Sequence, residues 1–427
     1  MLSDTIVRTR LAWVLWQFAL LPLIAATPAT AQDQPDAAPQ TREEAIAAER
    51  AEKVAELWPE RQNGMVDLVN GFVERGLKEG LESGRGANGF QIVLGGMRAA
   101  QGMSGGIGYR RSDLFREQLG VRGTARGTPS GAYMFDVDFD FEGLRTNRTF
   151  LRWYTRFEHS PRIDYFGLGN HSTNLTRTSY RYDDLASDFN ASFELVRGFR
   201  IGATGGYFQA HTDRSGEDDV PPIDEAFPPE TLPGFDEDTE YTRIGVFTYY
   251  DTRDSLTGPR SGGLLVARYR EYWDVHRKEF AFRQTEFELQ RFVPYFNKER
   301  VLAVRGSVVL SFPKRDNAVP MYLQPTLGGS DELRGFVPYR FKDYHAVSVS
   351  AEHRWHAFSL LDMALFGDAG KVVPVKREVD VSGLHYSGGI GLRVRVRSAI
   401  LSRIDFAGSS EGFRMVWTFS DIFNPKF

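Results

Sequence analysis

The feature that most constrains the fold is a strict two-residue alternation in the segment FDVDFDFE at residues 135–142. Every second residue is apolar, and each residue between them is acidic. Because successive side chains of a β-strand point to opposite faces of a sheet, this segment predicts a strand with one apolar face and one charged face. The same period of two begins near residue 89 and continues towards the C-terminus, so the chain is predicted to be all-β from there on.

The number and length of the alternating segments favour a membrane barrel. We predict about sixteen strands, at residues 103–112, 117–127, 132–143, 149–158, 172–183, 187–196, 199–211, 239–251, 262–274, 279–292, 300–311, 344–355, 359–368, 384–397, 400–408 and 412–422. About ten residues per strand is typical of strands that cross a bilayer at a tilt. The alternative is a soluble sandwich with its apolar faces packed inside, but so many long strands are too many for one sandwich. The sequence therefore predicts a transmembrane antiparallel β-barrel.

The composition agrees with a barrel and excludes other classes. Charged residues make up 25% of the chain, and the mean hydropathy is -0.36, far too polar for a helical membrane protein. A barrel tolerates this because half of each strand faces water. The net charge of -4 offers no basic surface for nucleic acid, and the absence of cysteine excludes a disulfide framework.

Charged residues on three neighbouring predicted strands fall on one face. Adjacent antiparallel strands would place arginine, aspartate and arginine side by side, and facing opposite charges stabilise a sheet. Because a charge that faces lipid at mid-membrane costs ~2–4 kcal/mol for Arg or Lys, this face is predicted to line the lumen. The predicted luminal charge ladder comprises Arg122, Arg126, Asp136, Asp138, Asp140, Arg152 and Arg156.

The connections between the predicted strands test the polarity of the barrel. Outer-membrane barrels have short periplasmic turns and long extracellular loops. If the first strand rises from the periplasm, the long links 212–238 and 312–343 are odd-numbered and extracellular, whereas short links such as 128–131 are even-numbered. The link 159–171 is the exception, because it is even-numbered and yet long.

The N-terminal segment is predicted to precede the barrel as an export signal and two helices. Residues 1–31 have arginines before an apolar run and small residues at a cleavage site, which is typical of a signal peptide, with an uncleaved anchor as the alternative. Residues 32–88 are predicted to form a linker and periplasmic amphipathic helices, and residues 89–427 the barrel. The helical part at 42–82 would rest on the barrel rim, or act as a plug or a docking site for a periplasmic partner.

The sequence has no clear catalytic, metal or cofactor signature. The pairs His171-Ser172 and Ser350 with His353 are the only tempting candidates for a hydrolase. With eight histidines and many serines, such neighbours are expected by chance, and His353 falls on the lipid-facing side of its strand. We therefore predict that the chain is not an enzyme and holds no metal ion or cofactor.

Five short motifs occur in order along the predicted barrel: YFGLGN at 165–170, DTRD at 251–254 followed by Pro259 and Gly262-Gly263, GGSDELRGF at 328–336, EHRW at 352–355, and LFGDAG at 365–370. Together they resemble the bacterial surface antigen barrel of the BamA/TamA-like superfamily of outer-membrane assembly and translocation proteins, over roughly residues 89–427. The resemblance implies a monomeric barrel surrounded by outer-membrane lipid and lipopolysaccharide. Its function would be the assembly, insertion or translocation of a polypeptide client. The alternative is a passive pore or a structural outer-membrane protein.

The resemblance also implies a mechanism for the longest loop. That loop would fold back into the lumen, and its Arg-Gly-Phe tip would dock on acidic residues of the two strands that follow. The lid-loop lock would then comprise Leu333, Arg334, Gly335, Phe336, Glu352 and Asp368.

Elementary electrostatics supports this lock. Glu352 shares one face of its strand with Ser348, Ser350 and Arg354, and that polar face must be luminal. Luminal carboxylates repel each other unless a cation joins them, and a guanidinium can bind a carboxylate through two parallel hydrogen bonds. The alternative is that the arginine of the loop is a solvated surface charge.

Two features depart from the family pattern. Members usually carry POTRA modules before the barrel, but residues 32–88 read as helices without strands, so no such module is predicted there. The C-terminal barrel signal is predicted at Phe413, Met415, Trp417, Phe419 and Phe427, and the segment DIFNPK at 421–426 interrupts it.

Overall fold

The fold is taken from a computed structural model of the chain, which describes residues 88–95, 97–98, 101–115, 118–143, 148–216, 220–296, 299–358, 360–396 and 399–419. The predicted signal peptide, linker and helices at 1–87 lie outside the described residues, as does Phe427. The signal peptide, the linker, the helices and the role of Phe427 therefore remain predictions.

The described chain forms one antiparallel sheet of sixteen strands and one small ribbon. The strands are β1 (Gly89–Leu94), β2 (Gly105–Leu114), β3 (Leu119–Gly127), β4 (Tyr133–Gly143), β5 (Thr149–Tyr165), β6 (Thr178–Val196), β7 (Phe199–Arg214), β8 (Asp238–Asp251), β9 (Gly262–Asp274), β10 (Phe282–Tyr295), β11 (Arg300–Pro313), β12 (Thr326–Leu327), β13 (Phe341–Lys342), β14 (His345–Phe358), β15 (Leu361–Val373), β16 (His385–Val396), β17 (Ala399–Ser409) and β18 (Gly412–Thr418). Each barrel strand pairs with the next in chain order, and the ribbon β12–β13 lies within the connection between β11 and β14.

The described helices are all short. They are the α-helix α1 (Ile223–Ala226) and the 3-10 turns Asn174–Thr176, Pro229–Thr231, Met321–Leu323 and Lys376–Glu378. Among the described residues, no helix has the length and apolar character needed to cross a membrane.

The alternation in β4 shows why this sequence closes into a barrel. Phe135 and Val137 are 53% and 40% exposed, whereas Asp136 and Asp138 are 2% and 1% exposed. The apolar face therefore points outward and the acidic face points into the lumen, which is the reverse of a soluble sandwich and suits a lipid surrounding. The prediction of an all-β transmembrane antiparallel barrel of about sixteen strands is confirmed.

Two individual strand predictions were wrong, although the total was right. The strand β1 was not predicted, and the segments predicted as separate strands at 172–183 and 187–196 form the single nineteen-residue strand β6. The neighbouring acids Asp183 and Asp184 resemble a turn in the sequence. In the structure they point to opposite sides of β6, where Asp183 binds His159 and Asp184 binds Arg156, so the strand continues through them.

Counting β1 changes the order of the connections. We call the nth connection between consecutive barrel strands link n, and the two ends of the barrel the odd end and the even end. The stretch 166–177 is then link 5, so the long even-numbered exception disappears, while 128–132, predicted as even-numbered, is link 3. The longest connections are link 7 (215–237) and link 11 (314–344), both at the odd end. This asymmetry is that of outer-membrane barrels, with the odd end outside.

The hydrophobic core lies inside the lumen near the odd end. Residues of links 7 and 11, including Ile223, Leu232, Val319 and Met321, pack on luminal side chains of β5 to β10. These luminal side chains are Ile163, Tyr165, Tyr180, Tyr182, Ala186, Phe208, Ala210, Tyr241, Tyr272 and Phe282. The two long links therefore fill that part of the lumen.

Candidate functional site: the lid loop and the luminal charges

Link 11, which we call the lid loop, reaches the inner wall of the barrel. Its two-residue ribbon, β12 with β13, brackets the tip, and Gly328, Gly329 and Leu333 adopt positive φ angles of 108°, 111° and 51°. Such angles are easy for glycine and strained for leucine. Leu333 is nevertheless fully buried, in a cluster with Phe336 and Phe341. Packing of this cluster holds the tip in a conformation that its backbone alone would not favour.

The guanidinium of Arg334 lies fully buried against carboxylates of three strands. Its Nε and Nη2 atoms donate to Asp368 of β15 over 3.0 and 2.7 Å, and its backbone N–H donates to the same carboxylate over 3.0 Å. Its Nη1 atom donates to Glu352 of β14 and lies 3.6 Å from Asp405 of β17. The ring of Phe366 covers the guanidinium at 3.5 Å. The two-bond contact with Asp368 is the geometry that arginine, and not lysine, can supply.

Electrostatics keeps this cation charged inside the protein. Burial alone would lower the pKa of the Arg334 guanidinium, but the carboxylates of Glu352 and Asp368 raise that pKa well above its usual value. The ion pairs also neutralise the carboxylates, which would otherwise repel each other in a confined space.

Three further arginines complete the network. Arg354 donates to Glu352 over 2.8 Å, and Arg393 donates to Glu352 over 2.9 Å and to Asp405 over 2.5 Å. Arg403 donates to Asp405 over 3.0 Å and to the lid-loop carbonyl of Ser330 over 2.5 Å. Sequence reasoning missed Arg393, Arg403 and Asp405. The sequence feature that could have revealed these three residues is the two-residue spacing of charges at luminal positions of β16 and β17.

Gly335 and Phe336 seat the tip against the last strands. A Cβ on Gly335 would lie 2.7 Å from the carbonyl oxygen of Gly408 and 2.8 Å from Cβ atoms of β16 and β17, so no larger residue fits. Phe336 is 1% exposed and meets Phe341 and His385 edge to face. The carbonyl of Phe336 accepts a hydrogen bond from Arg414 of β18. The lid loop thus contacts the final strand of the sheet.

Six of the seven residues of the predicted charge ladder form ion pairs with one another, and Arg156 is the exception. Asp138 accepts hydrogen bonds from Arg122 over 3.1 Å and from Arg152 over 2.8 and 2.5 Å, and Arg126 binds Asp136. Asp140 lies 3.5 Å from Arg152. The ladder thus spans β3, β4 and β5 on the luminal face.

Arg156 departs from that pattern and leads to residues that the sequence did not reveal. It donates to Asp184 of β6 over 2.8 Å instead of joining the acids of β4. Asp184 also binds Arg98 of link 1, whose backbone N–H donates to Glu158 over 3.1 Å. The side chain of Arg98 therefore extends the ladder, which local alternation could not show because link 1 has no regular period.

A buried lysine lies beside this extension. The Nζ atom of Lys342, in the ribbon of the lid loop, is 3.5 Å from the hydroxyl of Tyr180 and 5.4 Å from the ring centroid of Tyr165. Burial, reinforced by the positive charge of Arg98, lowers the pKa of Lys342 to about 7. A lysine in this setting exchanges its proton near neutral pH.

Link 5 crosses the odd end of the barrel to reach the other wall. Asn170, in the YFGLGN motif, donates to the carbonyl of Gly383 over 2.8 Å and accepts from the backbone of Val372 over 3.2 Å. Arg340 of the lid loop donates to Ser172 over 2.9 Å and to Glu411 of link 15 over 2.8 Å. Links 5, 11 and 15 are therefore joined above the lumen.

The histidine and serine pairs considered for catalysis have other positions. Ser350 is buried on the luminal face of β14, whereas His353 points outward and contacts Tyr295 and Trp355. Ser172 accepts a hydrogen bond from Arg340, as described above. Neither serine is hydrogen-bonded to a histidine among the described contacts.

The ends of the sheet approach each other without a shared ladder over the described residues. β1 pairs with β2 and β18 pairs with β17, while a Cβ on Gly95 would lie 3.6 Å from the Cβ of Phe419. Phe413, Met415 and Trp417 of the predicted C-terminal signal point outward from β18 and are 70%, 62% and 52% exposed. We call the junction of β1 and β18 the seam.

Comparison with known proteins identifies the family of this barrel. The Omp85 superfamily domain matches residues 155–409, which is more than half of the chain, and no curated protein matches. The solved structure of BamA from Haemophilus ducreyi lacking POTRA domains 1-3 is 13% identical with a TM-score of 0.57, over 78% of this chain and 71% of that one. CdiB from Escherichia coli is 13% identical with a TM-score of 0.51, over 77% of this chain and 61% of CdiB, so this chain spans about three fifths of it. The chain belongs to the Omp85 superfamily of outer-membrane β-barrels.

Proposed function

We propose that this barrel inserts or translocates polypeptide at the outer membrane and that the lid loop is its internal gate. Membership of the Omp85 superfamily implies assembly or translocation in general terms. The observation that carries the finer proposal is the buried guanidinium of Arg334, which is held by Asp368 and Glu352 of two strands and lies near Asp405 of a third. Burial of these charges carries a desolvation penalty that the ion pairs must offset. A loop that only needed to stay outside the barrel would not require a buried arginine.

The filled lumen argues against a permanently open pore. Link 11 occupies the luminal space at the odd end, and its arginine pairs with the wall. Movement of the loop would widen the passage at that end of the barrel. A gate of this kind is consistent with a barrel that opens when a client displaces the loop.

The ion pairs of the lock suit a reversible gate. Breaking a buried ion pair by removing one partner is costly when it leaves an uncompensated buried charge. Arg354 and Arg393 pair with Glu352, and Arg393 and Arg403 pair with Asp405, so two of the three acids stay neutralised when the loop leaves and only Asp368 loses its cation. The wall can therefore release the loop without leaving three bare carboxylates.

The seam gives a route for the client into the membrane. Open edges of a sheet present unpaired N–H and C=O groups, and an incoming strand can pair with them. β1 is six residues long and β18 is seven, shorter than any other strand of the barrel. Short terminal strands have fewer hydrogen bonds to break when the sheet opens.

Planar-bilayer conductance distinguishes the gated barrel from the passive pore. Under the proposal, the wild-type chain shows small, irregular currents, and Arg334→Ala shows larger and longer openings. Arg315→Ala is the matched control, because Arg315 lies in the same loop and its side chain is 95% exposed. Large, steady conductance in the wild-type chain would support the passive pore and reject the gate.

A reversible cross-link tests the seam separately. The chain has no cysteine, so Gly95→Cys with Phe419→Cys introduces a single possible disulfide. The 3.6 Å separation of the two Cβ positions suits such a bond. In proteoliposomes, the oxidised variant should fail to accelerate the insertion of an unfolded barrel client, and reduction should restore it. Equal insertion by the oxidised and reduced forms would contradict a lateral route.

A further inference from the structure

The outer wall of the barrel carries a groove that none of the features above uses. It runs across β5 to β10 and has a volume of about 700 Å³. All six strands contribute lining residues, and most of these belong to the outward-facing set of their strands.

Alternation of small and large outward side chains creates the groove. Ala191, Thr248 and Ala267 form a low floor, because their side chains end close to the backbone. Larger side chains beside the floor stand out from the wall: Phe193, Ile201, Val246, Tyr269 and Phe287 are 41%, 43%, 59%, 37% and 45% exposed. The surface is therefore concave and almost entirely apolar at a place where the barrel faces lipid.

We propose that this groove holds one acyl chain of a phospholipid from the leaflet at the even end. The length and direction of the groove suit an acyl chain in one leaflet. Thr149, Phe193, Ile201, Thr248, Ala267 and Phe287 line the groove, some in its floor and some in its sides, and they are register partners in unbroken order across six strands, so the groove extends along this line. At about 4.8 Å per strand, the five steps extend roughly 24 Å. One leaflet of a bilayer has about 15 Å of hydrocarbon, so an inclined track of this length accommodates a full chain.

The track starts at headgroup depth and ends near the middle of the membrane. Thr149 is the first residue of β5 and lies at the even end. Phe287 lies eight residues before Tyr295, which is the residue of β10 at the even end. Two exposed arginines, Arg148 and Arg197, lie in the turns directly beside the lower end of the track. Guanidinium groups at this position complement a lipid phosphate. Lipopolysaccharide occupies the opposite leaflet, so the height of the track favours a phospholipid.

Packing, and not hydrophobic transfer, would hold the chain. Lipid tails already surround the barrel, so binding depends on close van der Waals contact and on the charge at the headgroup. A lipid in this groove would sit on the wall opposite the seam. It would stiffen β5 to β10 while the terminal strands remain able to move.

Photo-cross-linking of the wild-type chain tests the proposal without any variant. The probe is phosphatidylglycerol with a diazirine at the middle of one acyl chain, in vesicles of phosphatidylethanolamine and phosphatidylglycerol. We expect adducts concentrated on the peptides that contain Val246 and Ala267. Even labelling of outward positions around the barrel, including Ala351 on β14, would overturn the proposal. Stronger labelling of the groove by a lipid A probe would overturn it as well.

Native mass spectrometry of the full chain in mild detergent supplies the second measurement. Wild type should retain one phospholipid. Ala267→Phe fills the floor of the groove and should lower the retained fraction about tenfold. Ala351→Phe adds the same bulk to an exposed outward position on another wall and should retain the lipid. Arg148→Gln with Arg197→Gln should lower retention and remove its dependence on salt. Equal retention by both phenylalanine variants, or a second copy of the chain in place of the lipid, would refute the assignment.

Discussion

Removing the guanidinium of Arg334 is the most direct perturbation of the lid loop. Arg334→Ala deletes one cation from a network in which four arginines share Glu352, Asp368 and Asp405. Loss of one partner from a buried ion pair costs about 3–5 kcal/mol. Arg354, Arg393 and Arg403 still neutralise two of the acids, so the lower end of that range, about 3 kcal/mol, applies to lid docking. Asp368 loses the two hydrogen bonds from the guanidinium and keeps those from the backbone N–H of residue 334 and from Ser387.

Thiol labelling measures lid docking because the native chain contains no cysteine. Ser330→Cys places a single thiol in the loop, next to the carbonyl that Arg403 binds. If labelling requires the loop to open, a loss of about 3 kcal/mol raises its rate by roughly 100-fold. Arg315→Ala in the same background is the control, since that side chain is almost fully exposed and its loss should leave the rate unchanged. A wild-type labelling rate in Arg334→Ala would refute the claim that the arginine holds the loop.

Three further predictions concern neighbouring residues. The pKa of Lys342 is lowered from 10.5 to about 7 by folding, so between these values the unfolded chain binds a proton that the folded chain lacks. The free energy of unfolding should therefore rise with pH in this window, by up to about 1.4 kcal/mol per unit, and Lys342→Met should flatten the urea-midpoint profile; an unchanged slope would contradict this. Gly335→Ala should destabilise lid docking by about 1–3 kcal/mol through overpacking, measured by the same labelling assay, whereas Gly216→Ala, which points into open space, should have no effect. Arg340→Ala breaks the contacts with Ser172 and Glu411 and should lengthen open events in planar bilayers, and unchanged open times would show that link 5 closes the odd end without it.

The side of each strand that faces the lumen was predictable because the constraint is local. Every strand of a membrane barrel meets lipid on one face, so polar and apolar residues must alternate wherever the chain crosses. Phe135 and Asp136 obey this rule in β4, and the exposures of their side chains follow directly. The same rule cannot mark where a strand ends. Asp183 and Asp184 break the alternation, but each finds a partner on its own side of the sheet.

The full membership of the arginine network was not predictable from spacing alone. Arg334 and Asp405 are far apart in the sequence, and only the curvature of the sheet brings β17 beside the lid loop. Link 1 was beyond prediction for a related reason. Arg98 lies in an irregular connection, so its ion pair with Asp184 follows from no local sequence pattern. The alternation within a strand determines which face a side chain points to. The identity of its ion-pair partner across the lumen depends on how the whole sheet curves.

The contacts of the lid loop are unevenly distributed around the barrel, and this has an energetic consequence. Arg334 and Phe336 are held by β14, β15, β17 and β18, all in the last third of the sheet, and Arg414 of β18 binds the tip directly. Any movement of β18 that widens the seam must break that contact, and any release of the tip removes a support from β18. Coupling between two sites is reciprocal in free energy. The factor by which an open seam favours release of the loop therefore equals the factor by which a released loop favours opening of the seam, and a seam disulfide should slow thiol labelling of the lid loop.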